Sequence, residues 1–404
     1  MHLVFEDQTF SFELLRTISY APYGGADIGE CLATASQIRE GDFESWYEHW
    51  STTARRVHAL ADDALQQGKR ISAREAYLRA SNYYRTAEFF LHGHPHDPRI
   101  LGTWSTSRAT FRQAIKLMGT SVEQVLIPYE GTFLPGYYYR PEDSHQPRPT
   151  LLVHGGYDST GEELYFLIAA AAIQRGYGCL TFEGPGQGTL LREQHLPFRP
   201  EWEQVVTPVV DFLLRRPEVD PARIALMGIS LGGYLAPRAA AFEHRLAALI
   251  ADDGLYSYQF SEKARAVTRV AALFGRAVAN YTLKQVMQRN TGIRWAIENG
   301  MFTFQVGSIW ELIEATESWS LEGVAHEIAC PTLVCEAEGD HFFAGQPKRL
   351  YEALSCPKTL LSFTAEDGAE EHCQVGALLL SNHRVFEWLD TTLHGDGQRS
   401  ANCC

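Results

Sequence analysis

The chain contains a serine in a sequence context that is typical of a covalent nucleophile. Ser230 is the central residue of Gly228-Ile-Ser-Leu-Gly232, which follows an apolar run and precedes a helix-favouring segment. Glycine is needed two positions before and after a serine that sits in a sharp strand-to-helix turn, because side chains there would collide with the neighbouring backbone. The spacing therefore predicts that the Ser230 hydroxyl is presented at a helix N-terminus as a nucleophile.

A serine hydroxyl reacts only when a base removes its proton and a third group orients that base. His372 follows the last predicted strand and is the predicted base, with His341 as the competing histidine. Asp340 ends an earlier strand and is the predicted acid. Asp252 and Asp253, at the end of the strand after the nucleophile helix, are competing acids. The chain order serine, aspartate, histidine fits a nucleophile, acid and base triad.

An acyl-transfer site also needs two preorganised donors for the oxyanion, and backbone N–H groups serve this purpose. The N–H of Leu231, directly after the serine, is one candidate. The second is expected from the loop His154-Gly-Gly-Tyr-Asp-Ser159, through the N–H of Tyr157 or Gly156. Asp158 in the same loop is expected to hold the loop or to contact the substrate.

The segment Phe182-Glu-Gly-Pro-Gly-Gln-Gly188 is glycine-rich but is not a phosphate-binding loop. It lacks the lysine of a P-loop and the G-x-G-x-x-G spacing of a dinucleotide site. We interpret it as the turn after the fourth strand, where Glu183 is a candidate substrate contact. The sequence predicts no cofactor and no metal ion.

Composition narrows the class of protein further. The formal net charge is -14, from 49 acidic and 35 basic residues, which argues against a nucleic-acid partner and a polybasic membrane anchor. The eight cysteines show neither zinc spacing nor a small disulfide framework, so reduced thiols are expected. The first residues lack a basic start and a long apolar run. We expect a cytoplasmic protein that acts on a small molecule and contacts no membrane.

Apolar periodicity changes along the chain. Residues 42–93 carry apolar side chains at helical spacing, Gly68 separates two helices, and Ser107 to Met118 favours a third. From residue 122 onward the apolar runs are strand-like and alternate with helical segments, which predicts a sheet that is mostly parallel and covered on both faces. The predicted strands are Val122–Tyr129, Thr132–Tyr139, Thr150–His154, Tyr177–Phe182, Ile224–Gly228, Leu246–Ala251, Thr332–Cys335 and Thr359–Phe363.

The predicted domains follow from these patterns. Residues 1–120 form a helical cap module, and 121–253 and 330–395 form the two parts of an α/β core. Residues 254–329, a connection too long for an ordinary loop, form a helical lid with predicted helices at Ser261–Ala279, Leu283–Asn299 and Ile309–Thr316. Cap and lid are expected to roof the serine. Residues 396–404, with the terminal Cys403-Cys404 pair, are expected to form a disordered tail.

The motifs together resemble the α/β-hydrolase superfamily. The segments Ser81–Phe90 and His94–Arg99 add a resemblance to its helical-capped branch, which includes dihydroxypseudooxynicotine hydrolase, FrsA-like proteins and hydrolases of fungal polyketide pathways. The resemblance implies an eight-stranded α/β-hydrolase fold with an N-terminal helical module and a helical lid. It also implies a homodimer and an extra acid after the sixth strand that handles the substrate, at Asp253 or Glu262.

The resemblance implies a serine hydrolase that cleaves a bond beside a carbonyl group in a mid-sized apolar metabolite of polyketide or other secondary metabolism. The bond is a carbon–carbon bond of a β-diketone or acyl-aromatic compound, or an ester or thioester. Two alternatives stay open at this point. The same triad could exclude water and act as an acyl transferase or cyclase, or the protein could be a non-catalytic ligand-binding relative of hydrolases.

Overall fold

The computed structural model describes residues 3–119, 121–141, 146–258 and 262–394. These residues form two compact units. Unit 1 comprises the described parts of Met1–Leu117, His195–Phe198 and Ser257–Ser320. Unit 2 comprises the described parts of Met118–Gln194, Arg199–Tyr256 and Leu321–Cys404.

Unit 2 is built on an eight-stranded sheet with strand order β1-β2-β4-β3-β5-β6-β7-β8. The first hairpin is antiparallel, β2 also pairs antiparallel with β4, and the remaining pairs are parallel. The strands are β1 Ser121–Tyr129, β2 Thr132–Arg140, β3 Arg148–His154, β4 Gly178–Phe182, β5 Val219–Ile229, β6 Ala248–Asp252, β7 Thr332–Ala337 and β8 Lys358–Phe363. The predicted eight-stranded, mostly parallel α/β-hydrolase sheet is confirmed.

The central strands are buried along their length. All residues of β4 and β6 are buried, as are the last six residues of β5. Parallel strands with helices on both faces lose contact with water on both sides, which explains their near-continuous apolar sequences. The carboxyl ends of β5, β6, β7 and β8 lie along one edge of the sheet, and the chain leaves each of these strands beside the candidate active site.

Helices make up most of the remaining described chain. Their bounds are α1 Gln8–Ser19, α2 Ile28–Ala35, α3 Phe43–Gln66, α4 Arg70–Glu88, α5 Pro98–Ile115, α6 Ala170–Gln174, α7 Gly188–Arg192, α8 Glu203–Leu214, α9 Gly232–Ala240, α10 Glu262–Phe274, α11 Arg276–Arg289, α12 Thr291–Thr303, α13 Ile309–Thr316, α14 Gln346–Ala353 and α15 Leu378–His394.

Unit 1 combines the N-terminal helices with α10 to α13. The Thr291 hydroxyl donates to Asp7 at 2.8 and 2.6 Å, and the Trp295 ring stacks on Phe89 with centroids 4.9 Å apart. The buried His92 lies 2.7 Å from Asn299 through Nδ1 and Oδ1. Polar and aromatic contacts therefore join the N-terminal helices to α10–α13, although the hydrogen-bonded residues lie 284 and 207 positions apart in the sequence.

Several predicted helix boundaries are wrong. Helices α1 and α2 were not predicted, and α5 begins at Pro98, where Asp97 caps it, rather than at Ser107. The predicted helix through Ala279 is broken at Gly275, which adopts φ 87°, a left-handed value that favours glycine. The next predicted helix is broken at Asn290, which caps α12 by accepting a hydrogen bond from the N–H of Ile293 at 2.8 Å.

In the described part of the chain, no helix combines the length and the apolar character that a bilayer crossing requires. The six cysteines there are free thiols, four of them buried. Cys403 and Cys404, with the whole of the predicted tail 396–404, lie outside the described residues. The predicted domain boundaries and the roofing role of cap and lid stay predictions.

Candidate active site

Ser230 lies in a strained turn between β5 and α9. Its φ of 62° is left-handed, a value that few residues other than glycine adopt. A Cβ added at Gly228 would lie 2.0 Å from the carbonyl oxygen of Gly232, and one added at Gly232 would lie 2.9 Å from that of Gly155. The two glycines of the motif are therefore required by close backbone approach, as the sequence predicted.

His372 lies beside the serine at the end of the sheet. Its Nε2 atom is 2.9 Å from Ser230 Oγ, and its ring is buried in a short turn, His372–Gln374, that follows β8. The rings of Phe342 and Phe343 pack edge-on against it, with centroids 5.0 and 5.4 Å away. The competing His341 is exposed and stacks on Phe342 instead. The structure thus brings Ser230 and His372 within hydrogen-bond distance.

Asp340 holds the opposite nitrogen of the imidazole. Its Oδ2 atom is 3.1 Å from His372 Nδ1, and its Oδ1 accepts hydrogen bonds from the N–H groups of Phe342 and Phe343 at 2.7 and 3.2 Å. Burial acts to raise the pKa of Asp340, but the positive charge on His372 and these hydrogen bonds outweigh it and lower that pKa. Asp340 is therefore ionised at neutral pH.

A second carboxylate contacts the same imidazole nitrogen. Asp253 Oδ2 lies 2.8 Å from His372 Nδ1 and also accepts a hydrogen bond from the N–H of Cys373. Sequence reasoning treated Asp340 and Asp253 as competitors for one place, whereas the structure brings both to His372. Asp253 is fully buried, and its burial raises its pKa.

Asp252, the other competing acid, is buried beside this pair. Its Oδ1 has no hydrogen-bond partner among the residues that the structure describes. Burial and the charge on Asp253 raise the pKa of Asp252 to about 8. Its carboxyl group is therefore protonated at neutral pH. Its backbone carbonyl has a separate role, because it accepts the N–H of Ser230 at 3.0 Å and fixes the strained turn.

The electrostatic environment favours the protonated imidazole. Burial acts to lower the pKa of His372, but electrostatic interactions with Cys373, then Asp340 and Asp253, raise it well above its ordinary value. A protonated His372 has no lone pair on Nε2, so protonation would compete with any function as a base. A proton taken from the serine would in turn be held firmly, which suits a group that must store a proton and return it.

The predicted oxyanion donors lie where the loop after β3 meets the serine turn. A Cβ added at Gly156 would lie 2.6 Å from the backbone nitrogen of Leu231 and 3.1 Å from Ser230 Cβ. The loop backbone therefore passes directly against Ser230. Tyr157 is buried and Asp158 is half-buried. Leu231 directly precedes the first residue of α9. Its N–H therefore lies at the N-terminus of that helix, where the helix dipole is positive.

Sequence reasoning missed how the glycine-rich turn after β4 supports this loop. Gln187 Nε2 donates to the carbonyl oxygens of Gly155 and Gly156 at 2.8 and 3.2 Å. Glu183 accepts the N–H groups of Gly161 and Thr189, each at 2.8 Å. Both carboxylate oxygens of Glu183 are therefore engaged with backbone donors, although the sequence made it a candidate substrate contact. The only hint in the sequence is that a glutamate and a glutamine occupy a turn otherwise made of glycine and proline.

The histidine that opens the loop is a structural group. Burial lowers the pKa of His154 to about 4, so its imidazole is neutral at neutral pH. The Trp202 indole N–H donates to His154 Nε2 at 3.2 Å, which leaves Nδ1 to donate to the carbonyl oxygen of Gly155 at 3.1 Å. His154 therefore anchors the start of the loop.

Cys373 was not singled out from the sequence, yet it lies in the site. Its sulfur is 3.4 Å from His372 Nε2, and burial raises the pKa of its thiol well above the ordinary value. Among the described residues, Asp253, His372 and Cys373 form one group whose ligand atoms are close enough to hold a metal ion. A cation there would have to displace the hydrogen bonds that orient His372. The side chain of Glu262, the first residue of α10, lies outside the described residues.

The sheet topology and the serine turn define an α/β-hydrolase, and the comparisons agree. Residues 27–274 match the family described as esterase FrsA-like. The chain is 37% identical to hydrolase LUC6 of a Fusarium species, covering 97% of this chain and 98% of that protein. It is also 37% identical to 20-hydroxy-prefusarin hydrolase FUS2 of Gibberella moniliformis, covering 97% and 98%.

The chain belongs to the FrsA-like esterase family and is a hydrolase. A solved structure, that of 2,6-dihydroxy-pseudo-oxynicotine hydrolase, has the same fold. It is similar with a TM-score of 0.74 at 22% identity, covering 93% of this chain and 95% of that one. The resemblance noted from the motifs is confirmed.

Proposed function

We propose that this hydrolase cleaves a bond beside a carbonyl group by covalent serine catalysis. The observation that carries the proposal is the hydrogen-bonded series from Ser230 Oγ through both nitrogens of His372 to Asp340. A nucleophile within hydrogen-bond reach of a base, and a base oriented by a third group, are the geometric requirements of this chemistry.

The proposed reaction proceeds in two steps. Ser230 Oγ bonds to the carbonyl carbon while its proton passes to His372 Nε2, and the leaving group then departs with that proton. This leaves an acyl group on Ser230. A water molecule next gives a proton to His372 and adds to the acyl carbon, and the proton returns to Ser230 Oγ as the acid leaves.

The developing negative charge on the carbonyl oxygen requires fixed donors. We assign the N–H of Leu231 and the N–H of Tyr157 or Gly156 to this role. The close approach of the Gly156 backbone to Leu231 supports the assignment. Gln187 would keep these donors in place by holding the carbonyl groups of the same loop.

The proposed substrate is a mid-sized, largely apolar metabolite with a reactive carbonyl group. Half-exposed Phe342 and Phe343 beside His372 support an apolar contact surface. The name of the Gibberella relative, 20-hydroxy-prefusarin hydrolase, supports a metabolite substrate here as well. Cleavage of a carbon–carbon bond requires a leaving carbanion stabilised as an enolate or an aromatic anion, which a β-diketone or acyl-phenol supplies. An ester or thioester has no such requirement.

We propose that the protein is a homodimer, as the family resemblance implies. Sedimentation of the purified chain would measure this oligomeric state directly. We also propose that Asp158 contacts the substrate.

The function is tested by a substrate panel. Wild type, Ser230→Ala and the control His341→Ala are incubated with an aryl ester, a thioester and a β-diketone in water enriched in heavy oxygen. We expect wild type and control to hydrolyse at least one compound and to place the heavy oxygen in the carboxylate product. Ser230→Ala should be slower by about 10³-fold or more while retaining the wild-type circular dichroism. Equal turnover by Ser230→Ala would refute the proposal, and transfer of an unlabelled acyl group to an acceptor would identify an acyl transferase.

A further inference from the structure

Two carboxylates approach one nitrogen of the candidate base. Asp253 Oδ2 lies 2.8 Å and Asp340 Oδ2 lies 3.1 Å from His372 Nδ1. A neutral or protonated imidazole carries a single hydrogen on this nitrogen. One acid is sufficient to orient that hydrogen in a serine triad. The second carboxylate therefore needs an explanation of its own.

Each carboxylate is held by its own part of the fold. Asp340 follows β7 and is fixed by the N–H groups of Phe342 and Phe343. Asp253 follows β6, has a left-handed φ of 50°, and is fixed by the N–H of Cys373 and, at 3.5 Å, by Gln374 Nε2. Neither acid depends on the other for its position.

The contacts of Asp253 are directed at the base. Oδ2 faces His372 Nδ1 and the N–H of Cys373, and Oδ1 faces Gln374 Nε2. The side chain is fully buried. An acid that handled the substrate would need an oxygen directed toward the reacting atoms, on the Nε2 side of the imidazole. The contacts of Asp253 lie on the Nδ1 side.

We propose that Asp253 is a second positioning residue for His372, which shares the Nδ1 hydrogen with Asp340 and adds a second negative charge behind the base. This inference rests on the proposed function of His372 as the base. It differs from the expectation that an acid after the sixth strand handles the substrate. The site thereby carries two acids for one imidazole, supplied by two neighbouring strands.

Two consequences separate this arrangement from a triad with one acid. First, removing either carboxylate leaves the other to orient the ring, so each single loss is tolerated far better than the double loss. Second, each negative charge stabilises the imidazolium, so removing one lowers the pH at which the base becomes active. The titratable groups that face or adjoin His372 are Asp252 at the end of β6, Asp253 directly after it, Asp340 after β7, and Cys373 in its own turn.

The test compares Asp253→Asn, Asp340→Asn and the double variant with wild type. Asparagine keeps the shape of the side chain and tolerates the left-handed backbone at position 253. Asp211→Asn is the control, because Asp211 lies on α8 outside the site, where its carboxylate pairs with Arg245 at 2.6 Å. The first readout is the rate constant for labelling of Ser230 by a fluorophosphonate, measured between about pH 5 and pH 8, a range that spans the ordinary pKa of histidine.

We expect each single variant to lose about 10- to 100-fold in labelling rate, and its acid limb to move to lower pH by roughly one unit. The double variant should lose about 10⁴-fold, the scale on which a triad loses rate when its only acid is neutralised. Asp211→Asn should match wild type. A loss of about 10⁴-fold in Asp340→Asn alone, with Asp253→Asn unchanged in rate and pH profile, would overturn the inference.

A second readout requires no activity and no change at Asp253. The pKa of the His372 imidazole is measured by nuclear magnetic resonance in wild type and in Asp340→Asn. With Asp253 still in place, the pKa of His372 in Asp340→Asn should stay above the ordinary value of about 6.5. A fall to that value or below it would overturn the inference. Absence of any labelling in folded wild type would instead refute the proposed function, and this titration would still decide whether Asp253 acts on His372.

Discussion

Ser230 Oγ and His372 Nε2 lie 2.9 Å apart, although 142 residues separate them in the chain. The relationship is produced by the parallel sheet, whose strand ends carry the serine turn after β5, Asp253 after β6, Asp340 after β7 and His372 after β8. Because parallel strands end at the same edge, residues distant in the sequence meet there. The geometry of the site therefore depends on the sheet. Substitutions along this edge of the sheet should change the reactivity of Ser230.

The pH dependence of the serine should reflect the raised pKa of His372. A protonated imidazole has no lone pair on Nε2, so it accepts no proton from Ser230. Reactivity should therefore be lost as the pH falls through the pKa of His372, with half of the maximum reached above about pH 6.5, the ordinary pKa of histidine. The measurement is the rate of fluorophosphonate labelling against pH. A midpoint below the ordinary value would contradict the electrostatic account.

Gly228→Ala should damage both the fold and the nucleophile. The new Cβ would meet the carbonyl oxygen of Gly232 at 2.0 Å, so the serine turn has to shift. We expect a loss of about 1–3 kcal/mol in the free energy of unfolding, with slower labelling of Ser230, measured by urea denaturation and mass spectrometry. The matched control is Gly102→Ala at an exposed position of α5, where a Cβ has no neighbour within 4 Å. That variant should gain about 0.5–1 kcal/mol.

Gln187→Met should weaken the loop that carries the proposed oxyanion donors. Methionine has a similar length but no N–H group, so the carbonyl oxygens of Gly155 and Gly156 lose their donor. We expect a loss of about 1–3 kcal/mol in stability and a lower kcat on the substrate found by the panel, with a smaller effect on KM. Gln194→Met, two residues after the end of α7, is the control. Equal kcat for both variants would remove Gln187 from the account.

Asp252→Asn should change how stability depends on pH. The pKa of Asp252 is about 8 in the folded protein, against about 3.9 in an unfolded chain, because its charged form is buried. The folded state therefore holds a proton that the unfolded state releases between these values. Its stabilising effect is complete below about pH 4 and is lost as the pH rises toward 8, by at most about 1.4 kcal/mol per unit. Urea denaturation at about pH 5 and pH 8 should show a smaller difference in Asp252→Asn than in wild type.

Much of the fold could be predicted because its elements have local signals. Each strand of the sheet is an apolar run between turns, and the predicted strands overlap the observed ones from β1 to β8. The serine turn is specified by its own glycines. Helices α1 and α2 were missed because each is short, and their buried faces are completed by side chains from other parts of unit 1, as with the Thr17 and Thr86 hydroxyls at 2.9 Å.

The parts of the site that were missed depend on tertiary contacts. Whether one or two aspartates face His372 is decided by how β6 and β7 end side by side, and no spacing in the sequence encodes that distance. Gln187 looks like an ordinary turn residue until its amide is seen beside the carbonyl groups of Gly155 and Gly156. Residues that act by positioning other residues leave weaker sequence patterns than the glycine-flanked turn around Ser230.

The central claim is that His372 activates Ser230, and the mass of the intact protein after incubation with a fluorophosphonate tests it most directly. Wild type and the control His341→Ala should gain the mass of one adduct. Ser230→Ala and His372→Ala, folded by circular dichroism, should gain none. No adduct on folded wild type, or an adduct that persists in Ser230→Ala, would contradict the account.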